Sequence, residues 1–186
     1  MRIVGGALRG RPITGPQDES VRPTADRVRE SVFNILAHGV PDLELEGARV
    51  IDLFAGTGAL GIEALSRGAA FCLFIDSDAD ARALIRTNIE KFGLTGITRI
   101  FRRDATDLGP VGTMAPFNLA FLDPPYDQGL NGRALLSLAE GGWLTRGAII
   151  IAEERAGADV ALPASFTELD RRTYGDSQIV IARFAG

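Results

Sequence analysis

Four consecutive residues, Asp123-Pro124-Pro125-Tyr126, bring together a carboxylate, backbone carbonyls without competing amide donors, and an aromatic face. Such a set can hold an exocyclic amino group of a nucleic-acid base for methylation. That nitrogen is a poor nucleophile because its lone pair is delocalised into the ring, so a site must accept its hydrogens. The Asp123 carboxylate and the Pro124 carbonyl can do so together, drawing the nitrogen towards a tetrahedral form and aiming its lone pair at an incoming methyl group. The prolines fix the backbone dihedrals and remove N–H groups that would compete for the same acceptors. Tyr126 offers a surface on which an extruded base can stack. After transfer the product ammonium is acidic, so its proton can leave to Asp123 or to water without a strong general base. In-line positioning then supplies most of the rate. Asp and Pro also occur in ordinary turns; position separates the two readings. The tetrapeptide follows the apolar run Phe117 to Leu122, at the strand end where parallel sheets put their ligands.

A second chemical element lies upstream. Val50-Ile51-Asp52-Leu53-Phe54-Ala55-Gly56-Thr57-Gly58-Ala59-Leu60-Gly61 places a glycine-rich turn between an apolar strand and a helix. Phe54, Ala55, Gly56, Thr57, Gly58 and Gly61 are therefore cofactor-binding candidates, with glycine where backbone must approach a ligand closely. The spacing Gly56-x-Gly58-x-x-Gly61, with Asp76 about 20 residues on, also fits a dinucleotide fingerprint. The loop alone leaves the cofactor open. Two features favour S-adenosylmethionine: Asp52 can receive the ammonium of its methionine part where a pyrophosphate would be repelled, and the tetrapeptide stands downstream. Asp76 is the expected acceptor for the ribose hydroxyls. Asp78 reads as a helix N-cap and Asp80 as a first-turn acid favoured by the helix dipole. Asp104 is placed to accept the adenine amino group, with Ala105 as a backbone donor to the ring.

The elements that position these residues follow from hydrophobic periodicity and breakers. Met1 to Pro16 suits a small hairpin around Gly5-Gly6 and Gly10. From Thr24 as N-cap, Val28, Val32, Ile35 and Leu36 recur at helical spacing until Gly39 and Pro41. Strands and helices then alternate: Val50 to Phe54, Ala59 to Ser66, Phe71 to Ile75, Ala79 to Phe92, Ile97 to Phe101, Phe117 to Leu122, a helix around Arg133 to Glu140, and Ala148 to Ala152. Fully apolar strands in such a series predict a parallel sheet covered on both faces, a doubly wound α/β fold. Phe166 to Tyr174 and Ser177 to Phe184 flank Gly175-Asp176 and close the sheet as an antiparallel hairpin. The expected division is an N-terminal hairpin and helix over 1–46, followed by a methyltransferase domain over 47–186.

Composition bounds the rest. The chain has 186 residues, 46% hydrophobic and 24% charged, which suits one domain with a substantial core. No apolar stretch reaches the ~18 residues of a membrane helix and no signal-peptide core is visible at the N-terminus, so a soluble, cytoplasmic protein is expected, and it is expected to act as a monomer. A single cysteine, Cys72, excludes an internal disulfide and a thiolate metal cluster, and no metal is expected. It reads as a buried strand residue. Trp143, behind Gly141-Gly142, reads as packing under the fifth strand in preference to stacking on a base. A net charge of −4 argues against a protein that coats nucleic acid. Before position 30, however, Arg2, Arg9, Arg11, Arg22, Arg27 and Arg29 outnumber Asp18, Glu19 and Asp26. Arg9, Arg11, Arg27 and Arg29 are the RNA-binding candidates.

The core resembles class I amino-methyltransferases, whose Rossmann-like fold implies seven strands in the order 3-2-1-4-5-7-6. The whole chain resembles the RsmD-type 16S ribosomal RNA guanine-N2 methyltransferases. Carrying that likeness are Arg2-Ile3-Val4-Gly5-Gly6, the block Arg22 to Glu30 with Phe33-Asn34, Asp52 to Gly61, Leu122 to Tyr126, and Tyr174-Gly175-Asp176-Ser177. The arginine block is the specific part; the other motifs are shared with amino-methyltransferases of DNA and other RNAs. The resemblance implies S-adenosylmethionine as cofactor, Arg22, Thr24 and Arg27 near methionine or target, and 16S RNA presented on the small ribosomal subunit or an assembly intermediate. Asp76 stands where the family often has the longer Glu, and Ala7-Leu8-Arg9 is less basic than usual. Three rival functions compete with this one. Methylation of DNA adenine or cytosine, or of another RNA, is disfavoured by the acidic total and the lack of a separate recognition domain. A nicotinamide-dependent oxidoreductase would need a hydride-transfer partner, and the one histidine, His38, stands at a helix end outside the alternating core. A non-catalytic RNA-binding assembly factor would bind RNA without turnover.

Overall fold

The structure, a computed structural model, describes residues 1–16 and 23–186, without the side chains of 23–25. Its elements are α1 (Pro23–His38), β1 (Arg49–Leu53), α2 (Ala59–Ser66), β2 (Phe71–Ile75), α3 (Ala79–Phe92), β3 (Thr98–Phe101), β4 (Phe117–Leu122), α4 (Leu130–Glu140), β5 (Leu144–Arg155), β6 (Phe166–Tyr174) and β7 (Ser177–Phe184). One sheet runs β3-β2-β1-β4-β5-β7-β6. Strands β1 to β5 pair in parallel, and β7 is antiparallel to both β5 and β6. This is the doubly wound, Rossmann-like arrangement expected from the sequence.

Alternation along each strand sends side chains to two faces and so builds two cores. Val50, Cys72, Phe74, Leu119, Phe121 and Ile151 join the α1, α2 and α3 side. Ile51, Leu53, Leu73, Ile75, Ala120, Leu122 and Ile150 join the side of α4, where Trp143 is buried. The Trp143 indole donates to the Gly109 carbonyl at 2.7 Å and its ring stacks on Phe117, so its role is packing. Cys72 is buried in β2. No described helix is long and apolar enough to cross a membrane.

Several boundaries differ from the periodicity. Strand β5 continues past Ala152 because β7 extends the ladder, pairing Glu153 with Ile179, Glu154 with Gln178 and Arg155 with Ser177. Helix α4 starts at Leu130, before Arg133, since Gly129 in the left-handed region (φ 62°) turns the chain into it. A 3-10 turn at Thr95–Ile97 takes Ile97 out of β3. Helix α1 begins at Pro23, which puts Thr24 inside the first turn; proline suits a first helical position because its missing N–H would be unpaired there.

Residues 1–16 form a minimal hairpin, with one bridge between Arg2 and Pro12. It is sewn to α2 by Glu63, which is fully buried and accepts the N–H groups of Val4 (2.9 Å) and Gly5 (2.7 Å). Arg67 Nε at 2.8 Å and Arg29 Nε at 3.5 Å neutralise the same carboxylate. Ile3, Ile13, Val32, Phe33 and Leu36 belong to the same core as the sheet.

Gly61 is where α2 lies on β2. A Cβ there would stand 2.4 Å from Phe74 Cε1 and 2.6 Å from Cys72 Sγ. Both neighbours are fully buried, so neither can swing away. Gly61→Ala is therefore expected to destabilise by roughly 1–3 kcal/mol, as overpacked cores do. A denaturation midpoint lowered at unchanged slope would show it; an unchanged midpoint would mean that α2 shifts without cost.

Candidate active site

After β1 the chain turns abruptly. Phe54 adopts φ 57°, a left-handed conformation that costs a non-glycine residue about 1–2 kcal/mol. Gly56 (φ 56°) and Gly58 (φ 80°) complete the turn. The Gly58 N–H donates to Ala55 O at 2.7 Å, and Ala55 N–H to Ile75 O at 3.2 Å. Asp76, at the end of β2, fixes the loop from below: Oδ2 accepts the Gly56 N–H and Oδ1 the Asp78 N–H, each at 2.9 Å. Asp78 caps α3 by accepting the Ala81 N–H at 3.1 Å, the role its position predicted.

Asp52 points to the α1–α2 side of β1 and is buried, its Oδ2 accepting the Gly61 N–H at 2.9 Å. Burial pushes its carboxyl well above the usual carboxylate range; the Gly61 N–H opposes this, and the charges of Asp123 and Asp76 add to it. A cation beside Asp52 would relieve that cost.

The parallel register Leu122↔Ala152 makes Asp123 and Glu153 neighbours where β4 ends and β5 runs on. Asp123 is exposed at the mouth of the cleft, with protein crowded around its other sides. That crowding pushes its carboxyl up to about 7, with the charges of Glu153 and Glu154 contributing. The Tyr126 hydroxyl donates to Glu153 Oε1 at 2.7 Å, and the Arg155 guanidinium lies 5.5 Å from the Tyr126 ring centroid. Asp127, at φ 63°, turns the chain away; its N–H donates to Glu154 Oε1 at 3.1 Å and its carboxylate pairs with Arg155 at 2.6 Å. The cleft measures about 1390 Å³ and runs between the glycine loop, α1, α3 and the ends of β4, β5 and β7.

A family model described as Conserved hypothetical protein 95 matches residues 1–183. Ribosomal RNA small subunit methyltransferase D of Escherichia coli K12 is 40% identical over 154 residues, 82% of this chain and 74% of its own. Bacillus subtilis YlbH is 34% identical over 191 residues, covering 100% of both chains. The chain belongs to the ribosomal RNA small subunit methyltransferase D family. The solved structure of Escherichia coli yhhF superposes on this methyltransferase with a TM-score of 0.82 and 30% identity, over 100% of this chain and 98% of that one.

The cofactor of this methyltransferase class is S-adenosylmethionine, and the cleft suits it. Among the described residues, Asp52, Asp78, Asp80, Asp123, Glu153 and Asp176 line it against Arg29 and Arg155. That excess of carboxylates attracts a ligand with sulfonium and ammonium charges and repels a pyrophosphate. The methyltransferase brings Asp52, Phe54, Ala55, Gly56 and Thr57 to the cleft wall, facing Asp123 and Tyr126. Pro124 is buried beneath the site and Pro125 is exposed. Gly58 and Gly61 stay outside the lining, Gly58 as the N-cap of α2 and Gly61 as the packing contact. Asp76 also lies outside it and acts on the wall through Gly56. Asp104 and Ala105 stand away from the cleft: Asp104 is exposed with Oδ1 engaged by the Thr106 N–H and hydroxyl, while Ala105 is buried on the α4 side. Arg22 lies outside the described residues, as does the Thr24 side chain.

Among the basic residues, Arg9, Arg11 and Arg27 are exposed, with Arg11 lying over the Phe92 ring. The expectation that Arg29 faces RNA requires correction. It is 5% exposed, and its guanidinium donates to the Arg2 carbonyl and to Asp26 (2.9 Å) beside Glu63. A cation so enclosed serves the fold. Residue patterns had passed over Glu153, Arg155 and Asp176 as cleft residues. Glu153 stands one position past the apolar run Ala148 to Ala152, so the rule that ligands gather at the carboxyl ends of parallel strands would have found it.

Proposed function

We propose that this protein moves a methyl group from S-adenosylmethionine to the exocyclic N2 amino group of a guanine in 16S ribosomal RNA, presented on the small ribosomal subunit or an assembly intermediate. The observation that carries the chemistry is Asp123 at the mouth of β4, facing the glycine loop across one cleft. The substrate rests on the likeness to proteins named ribosomal RNA small subunit methyltransferase D. When bound, the cofactor supplies an electrophilic methyl group on sulfur. Asp52 would hold its ammonium end, and Asp76 would brace the Gly56 wall against which its ribose lies. Asp123 and the Pro124 carbonyl accept the amino hydrogens, and Asp123 takes up the proton lost on transfer. Tyr126 stacks the base on the ring face away from Arg155, and the exposed Arg9, Arg11 and Arg27 meet phosphates. A monomer acting in the cytoplasm, where small subunits assemble, fits this role.

Incubation with labelled cofactor and small ribosomal subunits from a strain lacking the enzyme tests the reading. Label should enter 16S RNA as N2-methylguanine at a single nucleotide, and label on another base, or none in RNA, would refute it.

The same role predicts a pH profile. Asp123 must be ionised to accept hydrogens, and with its carboxyl raised to about 7, kcat/KM for the cofactor should fall as pH drops through neutrality, approaching tenfold per pH unit. A sulfonium nearby favours the carboxylate, so the limb in kcat at saturating cofactor should lie at lower pH. Profiles that are flat from pH 5.5 to 8 would remove Asp123 from this role.

A further inference from the structure

Asp123 and the Pro124 carbonyl explain how an amino group is gripped, yet adenine and cytosine carry such groups too. A distinguishing residue stands one strand away. Glu153 follows Ala152 on β5, which pairs with Leu122, so its carboxylate and that of Asp123 line the cleft side by side. The Tyr126 hydroxyl donates to Glu153 Oε1 at 2.7 Å, and the Ser177 hydroxyl also stands against this carboxylate, which faces the cleft.

We infer that Glu153 reads the ring N1–H of the target guanine; this rests on the methyl-transfer function proposed above. In guanine the atom next to the amino-bearing carbon is a nitrogen carrying hydrogen, so its edge presents two neighbouring donors. In adenine and cytosine the ring nitrogen beside the amino group carries a lone pair. Two adjacent carboxylates match the guanine edge, one taking N2–H and the other N1–H. Set against adenine or cytosine, the second carboxylate would face a lone pair, an acceptor against an acceptor. Flipped bases are read along this edge. The pairing also accounts for two like charges being kept together, an arrangement that is unfavourable until donors arrive between them. Tyr126 links recognition to stacking, because the ring on which the base would lie is anchored by the carboxylate that reads it.

The test uses small subunits assembled on ligated 16S RNA carrying either guanine or 2-aminopurine at the target nucleotide. 2-Aminopurine keeps the 2-amino group but has a lone pair at N1. The wild-type protein is expected to prefer guanine by about 10²-fold in kcat/KM, the order expected when one hydrogen bond to a charged group is left unmade. In Glu153→Gln the amide can donate to the N1 lone pair, so the preference should shrink to about fivefold or less. A wild-type ratio near one would overturn the inference whether or not the variant folds, as would a ratio unchanged in Glu153→Gln. Absence of label on guanine particles with wild-type protein would instead overturn the proposed function itself.

Discussion

Asp123→Asn is expected to lower kcat for methyl transfer about 10²–10³-fold, the range seen when one group aimed at developing charge is removed, while cofactor affinity changes only a few-fold. The side chains are nearly isosteric, so the loss is chemical. The amide oxygen can accept one amino hydrogen, but its NH2 group presents donors to a donor, and the positive charge growing on the nucleophilic nitrogen loses its counter-charge. Stability should move the other way. Asp123 has a folded-state carboxyl raised to about 7, above its unfolded value near 3.9. The native state therefore binds the proton more tightly, and the benefit is complete below the unfolded value and lost as pH rises towards 7. The asparagine variant carries no such charge. Above neutral pH it should melt higher than wild type, with the difference vanishing near pH 4. An inactive variant that is also more stable at pH 8 cannot be explained by misfolding, and circular-dichroism melts at the two pH values decide the matter. Equal activity of the variant would remove Asp123 from the reaction.

Legibility of this protein in its sequence divides by physical cause. Strand and helix limits from Ala59 to Phe92 were readable because apolar periodicity and caps agree there: Asp78 caps α3, and Gly93, at φ 72°, ends it. The carboxyl ends of β1 and β4 were readable as a site because motif and strand coincide. What stayed hidden depends on pairing partners distant in sequence. Glu153 enters the cleft because β7 prolongs β5 beyond its apolar run. Arg29 looks like an RNA contact in a basic segment, and only the fold reveals that Glu63, 34 residues on, lies beside it. Gly61 fits a cofactor fingerprint by spacing, while its steric need comes from Phe74 and Cys72. Asp104 fits an adenine acceptor by position, yet local bonds with Thr106 hold it in an exposed turn and lower its carboxyl below the usual range.

Glu63→Ala is expected to be the most destabilising single substitution among those considered, by about 3–5 kcal/mol, as when a buried ion pair loses one partner. Deleting the carboxylate removes the acceptor for the Val4 and Gly5 N–H groups and uncovers the charges of Arg67 and Arg29, the latter 5% exposed. For a chain of this length each kcal/mol shifts the melting temperature by roughly 2–4 °C, so a fall of about 6–20 °C should be seen. Glu63→Gln should cost less, because its amide oxygen can still serve one of the two N–H groups. The loss need not spread evenly. Glu63 ties the hairpin and α1 to α2, and Met1, Val28 and Val32 on those tied pieces line the cleft. Below the global transition, amide hydrogens of residues 1–16 should therefore exchange faster in the variant while those of β1 and β4 keep their protection. Release of that wall alone would raise the cofactor KM and leave kcat nearly unchanged, the reverse of the pattern expected for Asp123→Asn. A parallel loss of protection throughout the sheet would instead mean that the N-terminal segment and the sheet unfold as one cooperative unit.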